Sequence, residues 1–262
     1  MDLALRGRRA LVCAASKGLG RASAEALAAE GARVAIVARA PEPLEAAARE
    51  IHAQTGAEVI AIPGDVSDGA DIERLHAEAL GRLGGVDILV NNAGGPPPGR
   101  FVDFDDAAWR SAFELNLLSA IRLTRLVLPA MQAQRWGRIV NITSIAVKQP
   151  IPHLILSNTV RVGVVAFAKT LAPQVAADGV TINNVCPGIH RTDRVRKLAE
   201  ATARPGETAD ACLARMGEEL PMKRLGEPAE FGGLVAFLCG GPAAFITGAT
   251  IQADGGAYAG LM

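Results

Sequence analysis

A chain of 262 residues, half of them hydrophobic and only 4% aromatic, suits one large α/β domain or two small ones, with an interior built from Ala, Val, Leu and Gly. Its 27 Lys and Arg balance 27 Asp and Glu, so no global field favours nucleic acid or an anionic membrane. The cysteines, Cys13, Cys186, Cys212 and Cys239, form no C-x-x-C pair; they fit small buried hydrophobes in a reducing compartment better than a disulfide frame or a metal site.

The opening "MDLALRGRRALVCAAS" lacks an apolar core followed by a cleavage site, so no signal peptide is expected. Apolar, β-branched strands are expected over 9–15, 33–38, 58–65, 86–94, 137–144, 180–188 and 249–256. Helical stretches lie between them, including 21–31 and 43–56, each closing on Gly. Broad apolar stripes run along 104–135 and 158–177. Residues 190–222 interrupt the alternation with charged, helix-prone sequence after Pro187-Gly188, as a substrate lid would. The uncharged stretch 232–253 is long enough to span a bilayer, but "CGGP" in its middle ends a helix; helix, turn and buried strand are expected there. β-α alternation with strands apolar on both faces predicts one doubly wound, seven-stranded parallel sheet with helices on both faces. The whole of 1–262 is then a single cytoplasmic domain, with 190–222 as its lid.

The first predicted strand runs into "CAASKGLGRA" (13–22). A glycine turn between strand and helix lets backbone N–H groups approach a pyrophosphate at the positive helix end, which makes Ala14, Ser16, Lys17, Gly18, Leu19 and Gly20 candidate cofactor contacts. At the end of the second strand, where an acidic residue would bind the ribose of NAD, the chain has Ala38-Arg39. Arg39 and Lys17, two cations with no carboxylate, suit a 2′-phosphate, so NADP(H) is preferred over NAD(H).

These segments resemble the short-chain dehydrogenase/reductase family, of the 3-oxoacyl-carrier-protein-reductase kind, nearly end to end. Its T-G-x-x-x-G-x-G is matched by Cys13-Ala14 through Gly18 and Gly20, with Ala14 adding a methyl group where the family has none. Asp65-Val66 matches its adenine-side pair, and Asn91-Asn92-Ala93-Gly94 its N-N-A-G. Asn116 matches its structural asparagine, and Pro187-Gly188-Ile189 through Thr192 its nicotinamide-side P-G-x-x-x-T. The resemblance implies a single-domain Rossmann fold, an NAD(P) pocket at these residues, and helices around 104–135 and 158–177 that pair subunits into a homodimer or homotetramer.

It also implies a catalytic serine, matched by Ser144, followed thirteen residues later by Tyr-x-x-x-Lys. Those slots hold Ser157 and Arg161, and Tyr258 is the only tyrosine in the chain. A serine hydroxyl is a far weaker acid than a phenol, and a guanidinium, though able to grip ribose hydroxyls, is a poor proton shuttle. Lys148, on the loop leading from Ser144, is the first candidate for the missing donor; His153, His190 or water are the others. Three readings follow. The first is reduction of a ketone or acyl-thioester carbonyl by Ser144, Asn116, Lys148 and Arg161. The others are an NADP(H)-binding sensor or partner protein, and a non-redox enzyme using the same pocket.

Overall fold

Strands apolar on both faces must be covered on both faces, and the computed structural model, which describes residues 1–261, shows how. Strands β1 (Arg9–Cys13), β2 (Arg33–Ala38), β3 (Val59–Pro63), β4 (Ile88–Asn91), β5 (Gly137–Ile142), β6 (Val180–Pro187) and β7 (Thr250–Ala253) form one sheet in the order β3-β2-β1-β4-β5-β6-β7. Every pairing is parallel. Helices α1 (Gly18–Ala29), α2 (Pro41–Thr55) and α9 (Pro228–Cys239) pack one face through Leu27, Ile51 and Phe231. The other face carries α3 (Gly69–Leu83), α5 (Ser119–Ala133) and α6 (Ile155–Val175) through Leu75, Val127 and Ala168. The expected Rossmann architecture is therefore present.

Boundaries follow local chemistry. Pro41 starts α2 and Gly56, left-handed at φ 69°, ends it. Asp68 caps α3 by accepting from the backbone of Ala70 and Asp71. α9 stops at Cys239, before the Gly240-Gly241-Pro242 break, so the stretch 232–253 does not span a membrane as one helix. Its strand β7, expected to be buried, is only half-buried because it is the sheet edge. One helical run, 155–178, is long and apolar enough to cross a bilayer, but Leu156, Val164, Ala168 and Ala172 bury one face of it against the protein's own interior. All four cysteines are buried and free, and burial pushes the Cys13 and Cys239 thiols up to about 12.

Residues 190–222 form two helices, α7 (Asp193–Thr202) and α8 (Ala209–Glu218). They share a small core of Ala199, Cys212, Leu213, Leu220 and Leu225, and Arg196 on α7 reaches Asp210 on α8 at 3.0 Å.

The strand order reverses between β1 and β4, so the loops leaving their C-terminal ends part and open a crevice. Beside it a row of polar side chains crosses four strands on the α5–α6 face. Asn91 donates to Asn141, Asn141 to Asn184, and Asn184 to Thr250, at 2.9, 2.9 and 3.1 Å. The backbones of these residues are direct register partners. A one-residue slip would turn each amide to the other face and leave its neighbours unpaired. Replacing Asn141 by Leu strands the Asn184 carbonyl in the interior; we expect a loss of about 2–4 kcal/mol in denaturant unfolding, since each buried polar group left unpaired costs about 1–3 kcal/mol.

Candidate active site

The turn after β1 is built for close approach. Gly18 is left-handed at φ 62°, and a Cβ on Gly20 would stand 2.5 Å from the Ala14 carbonyl oxygen and 2.6 Å from Asn92 Nδ2. Only glycine fits at 20. Ala14 is itself left-handed, at φ 48°, a conformation a methyl-bearing residue resists. Ser16, Lys17 and Leu19 complete the turn, with Lys17 exposed at the N-cap of α1.

The next turn, Asn92-Ala93-Gly94, is clamped from three sides. Asn92 Nδ2 donates to the Ala14 carbonyl at 3.4 Å, tying β4 to the glycine turn. Asn116 Nδ2 donates to the Gly94 carbonyl at 2.9 Å. Asn116 lies on a π-helical segment, Glu114–Leu118, between α4 (Asp106–Phe113) and α5, and such bulges re-aim side chains at functional sites. Its Oδ1 is buried without a partner. Arg161 Nη2 donates to the Ala93 carbonyl at 3.2 Å.

Arg161 is the hub of this end of the sheet. Only 7% exposed, it also donates through Nη1 to the carbonyls of Ile142 and Thr143, at 3.3 Å each. No carboxylate pairs with it among the described residues. Burial, and then the charge of Arg194, pull its pKa down to about 10, so it stays cationic at neutral pH. One turn earlier on α6, Ser157 is also buried, and its side chain makes no hydrogen bond among the described residues.

Ser144 follows β5, half-buried and extended, and its Oγ accepts from the Ala146 amide at 3.1 Å, which leaves its own proton to donate. A short 3₁₀ turn, Ile145–Val147, carries the chain to Lys148, whose Nζ stands 5.9 Å from the Tyr258 ring centroid. The histidines go elsewhere. His153 is exposed at φ 61° on the loop before α6. His190 is buried edge-on against Phe231, and burial lowers its pKa. It faces a cavity of about 330 Å³, lined also by Met222, Arg224 and Asp254, to which Ser144, Lys148 and Arg161 contribute nothing.

At the ribose end, Arg39 is exposed and without an ion pair among the described residues. Lys17 departs from the expectation of cations with no carboxylate: Asp193 on α7 lies 3.9 Å away, a solvated contact of little strength. Asp65 is occupied locally, accepting from the Ser67 backbone and hydroxyl, while its own amide donates to Asp71 at 2.6 Å. Val66 beside it is buried. On the far side, the Gly188 amide donates to Ala253 at 2.9 Å, and Asp254 covers Gly188 so closely that a side chain would collide with it. Pro187 ends β6, Ile189 packs onto the α7–α8 core, and Thr192 caps α7.

Sequence reasoning missed Arg194, which lies directly on Gly95, and Asp71, which holds Asp65. Arg194 had a readable signal, its place two residues after Thr192; Asp71 had none beyond being an acidic residue in the first turn of α3.

A parallel Rossmann sheet with a glycine turn at its switch point and a serine after the fifth strand defines a dinucleotide-binding oxidoreductase class. Comparison with known proteins agrees. The family described as enoyl-(acyl carrier protein) reductase matches residues 13–258. The chain is 37% identical over 252 residues to the Escherichia coli 3-oxoacyl-[acyl-carrier-protein] reductase FabG, covering 96% of this chain and 98% of that one. It is 36% identical over 252 residues to nodulation protein G of Rhizobium sp., covering 96% and 97%. The L-sorbose reductase of Gluconobacter frateurii, solved with NADPH and L-sorbose, superposes with a TM-score of 0.96 at 32% identity and full coverage of both chains. The chain belongs to the short-chain dehydrogenase/reductase family of oxidoreductases and, within it, is similar to the 3-oxoacyl-carrier-protein reductases.

Strain at position 14 can be measured. Ala14→Gly should raise the melting temperature by roughly 2 °C, relief of the left-handed methyl slightly outweighing the added freedom of the unfolded chain. A fall in melting temperature would show that the strain at position 14 is smaller than the entropic cost of the added glycine.

Proposed function

We propose that this chain reduces a carbonyl compound with NADP(H), using a rearranged proton donor. The observation that carries the reading is the crevice at the β1–β4 switch, with a glycine-only approach at Gly20, the Asn92–Gly94 turn clamped by Asn116 and Arg161, and Ser144 beside it. These residues fit a dinucleotide: Gly20 lets backbone lie where a side chain cannot, and the buried, unpartnered Asn116 Oδ1 can accept a further hydrogen bond. The residues that would hold the cofactor are Ala14 through Gly20, Arg39, Asp65-Val66, Asn92 through Gly94, Arg161, Pro187 through Ile189, and Thr192. The exposed, unpaired Arg39 favours the 2′-phosphate form.

Bound, the nicotinamide supplies hydride. The protein's task is to place the carbonyl and provide one proton. The Ser144 hydroxyl, oriented by the Ala146 amide, donates to the carbonyl oxygen as charge develops there. Lys148, four residues further along the same loop, delivers the proton through its ammonium. Ser157 is too weak an acid for this. Arg161 keeps the site positive, with N–H groups left over for ribose hydroxyls. Asn116 fixes the Gly94 backbone. Helices α7 and α8 form the lid, and the exposed Phe113 and Val162 mark faces of α4 and α6 for pairing in a homodimer or homotetramer. The relatives' names support a ketone or acyl-thioester substrate.

A second reading, an NADP(H)-binding protein without turnover, draws on Arg161 being tied to backbone carbonyls and Ser157 offering no phenol. NADPH oxidation across a ketone and aldehyde panel separates the two. Lys148→Met should lower turnover by about 10²–10⁴ with NADPH affinity held, and unchanged turnover would discard the lysine's role. Arg39→Ala should weaken NADPH by about tenfold while NADH is little affected; equal weakening of both would overturn the cofactor preference.

A further inference from the structure

Two arginines meet on one short turn. Arg161 holds the Ala93 carbonyl at 3.2 Å, and the Arg194 guanidinium lies on Gly95 so closely that a side chain there would overlap it. Their proximity is also felt electrostatically, since Arg194 is the one charge that depresses Arg161. Neither arginine has an ion pair among the described residues, although their neighbours do: Arg191 with Glu227 and Arg196 with Asp210. Lys148, on the loop from Ser144, pairs with no carboxylate among the described residues, and its Nζ stands beside the Tyr258 ring. Like charges brought together without a counter-ion are unfavourable until an anion enters. Ser157, on the same face of α6 as Arg161, places only a hydroxymethyl group where the family resemblance implies a phenol ring.

We propose that Arg194, together with Arg161 on the Ala93–Gly95 turn, forms an anion-recognising subsite, and that the substrate carries a carboxylate close to its reducible carbonyl. The planar fork of Arg194 matches a carboxylate in two-point contact, with the ketone carbon left facing Ser144. The favoured substrate class is then a small oxo acid in its free, ionised form, in preference to its neutral ester or thioester. This rests on the reductase reading for the chemistry, but the anion subsite can be tested without turnover. Arg194 also stands two residues from Thr192 on the cofactor side, so the cofactor's pyrophosphate is the competing source of negative charge.

The experiment has a binding arm and a kinetic arm. Titrating butanoate and butanamide into the full-length protein, with and without saturating NADPH, should show saturable binding of butanoate alone, weakened by salt. Arg194→Gln should weaken it by about tenfold or more, and Arg194→Lys should restore part of the loss. In the kinetic arm, the ratio of kcat/KM for 3-oxobutanoate over its methyl ester should exceed one and fall by a similar factor in Arg194→Gln. Equal binding of acid and amide, or a preference that Arg194→Gln leaves intact, overturns the proposal. Loss of NADPH affinity in Arg194→Gln with acid preference unchanged assigns Arg194 to the pyrophosphate and likewise overturns it. Butanoate binding that depends on Arg194, without reduction of either carbonyl compound, sustains the subsite and defeats the reductase reading instead.

Discussion

The amide row Asn91–Asn141–Asn184–Thr250 is the constraint on which the site depends. A parallel sheet of Val, Ile and Leu has many acceptable registers by packing alone, because one apolar side chain replaces another at little cost. Amides do not tolerate that exchange: each must find its partner abreast or leave a buried dipole unpaired. The row sits immediately before the strand ends that carry Ala93, Thr143 and Cys186. It therefore fixes, strand by strand, where the Asn92–Gly94 turn, Ser144 and Pro187–Gly188 begin. Thr143 continues the pattern one step outward, its hydroxyl 3.1 Å from the Val185 carbonyl and 3.2 Å from Cys186 Sγ.

Arg161 occupies the next layer and converts that register into a shaped pocket. Its three acceptors come from the ends of β4 and β5, so one side chain on α6 ties a helix to two strands at the mouth of the crevice. Backbone carbonyls, not a carboxylate, offset its desolvation, which leaves the positive charge uncancelled. A carboxylate in the same place would have made a neutral pair and a neutral site. The exchange of a phenol and a lysine for Ser157 and Arg161 thus does more than remove an acid. It puts a fixed positive field where the family resemblance implies a titratable centre.

Most of the fold was legible because its signals are local. β1, β2 and β6 are short, strongly buried runs that include β-branched residues, and α2 is bracketed by a proline and a glycine. The glycine turn, the Asn92–Gly94 turn and the thirteen-residue spacing from Ser144 to the altered pair could likewise be read in sequence. What stayed hidden is non-local. Nothing near position 161 announces three carbonyls drawn from 68, 19 and 18 residues away. His190 looked suitable as a donor by its neighbours in sequence, but Phe231, on a helix some forty positions later, takes its ring in the opposite role of a packing partner. The Lys17–Asp193 contact joins two turns far apart in the chain, which is why the ribose end seemed free of carboxylates.

The two-helix segment α7–α8 is joined to the sheet domain at a few definite places. α7 and α8 carry their own small apolar core, separate from the two clusters that cover the sheet. Such a unit can shift as a body at low cost, because its internal contacts move with it. Yet its first residues border the crevice: Thr192 caps α7 with its methyl group 3.8 Å from where a Gly18 side chain would begin, and Arg194 lies on Gly95. Any displacement of the insertion is therefore transmitted through residues 192–194 to the glycine turn on one side and to the turn held by Arg161 on the other. Arg194 and Thr192 ride on the same first turn of α7, so a shift of that turn is felt beside Gly18 and beside Gly95 together.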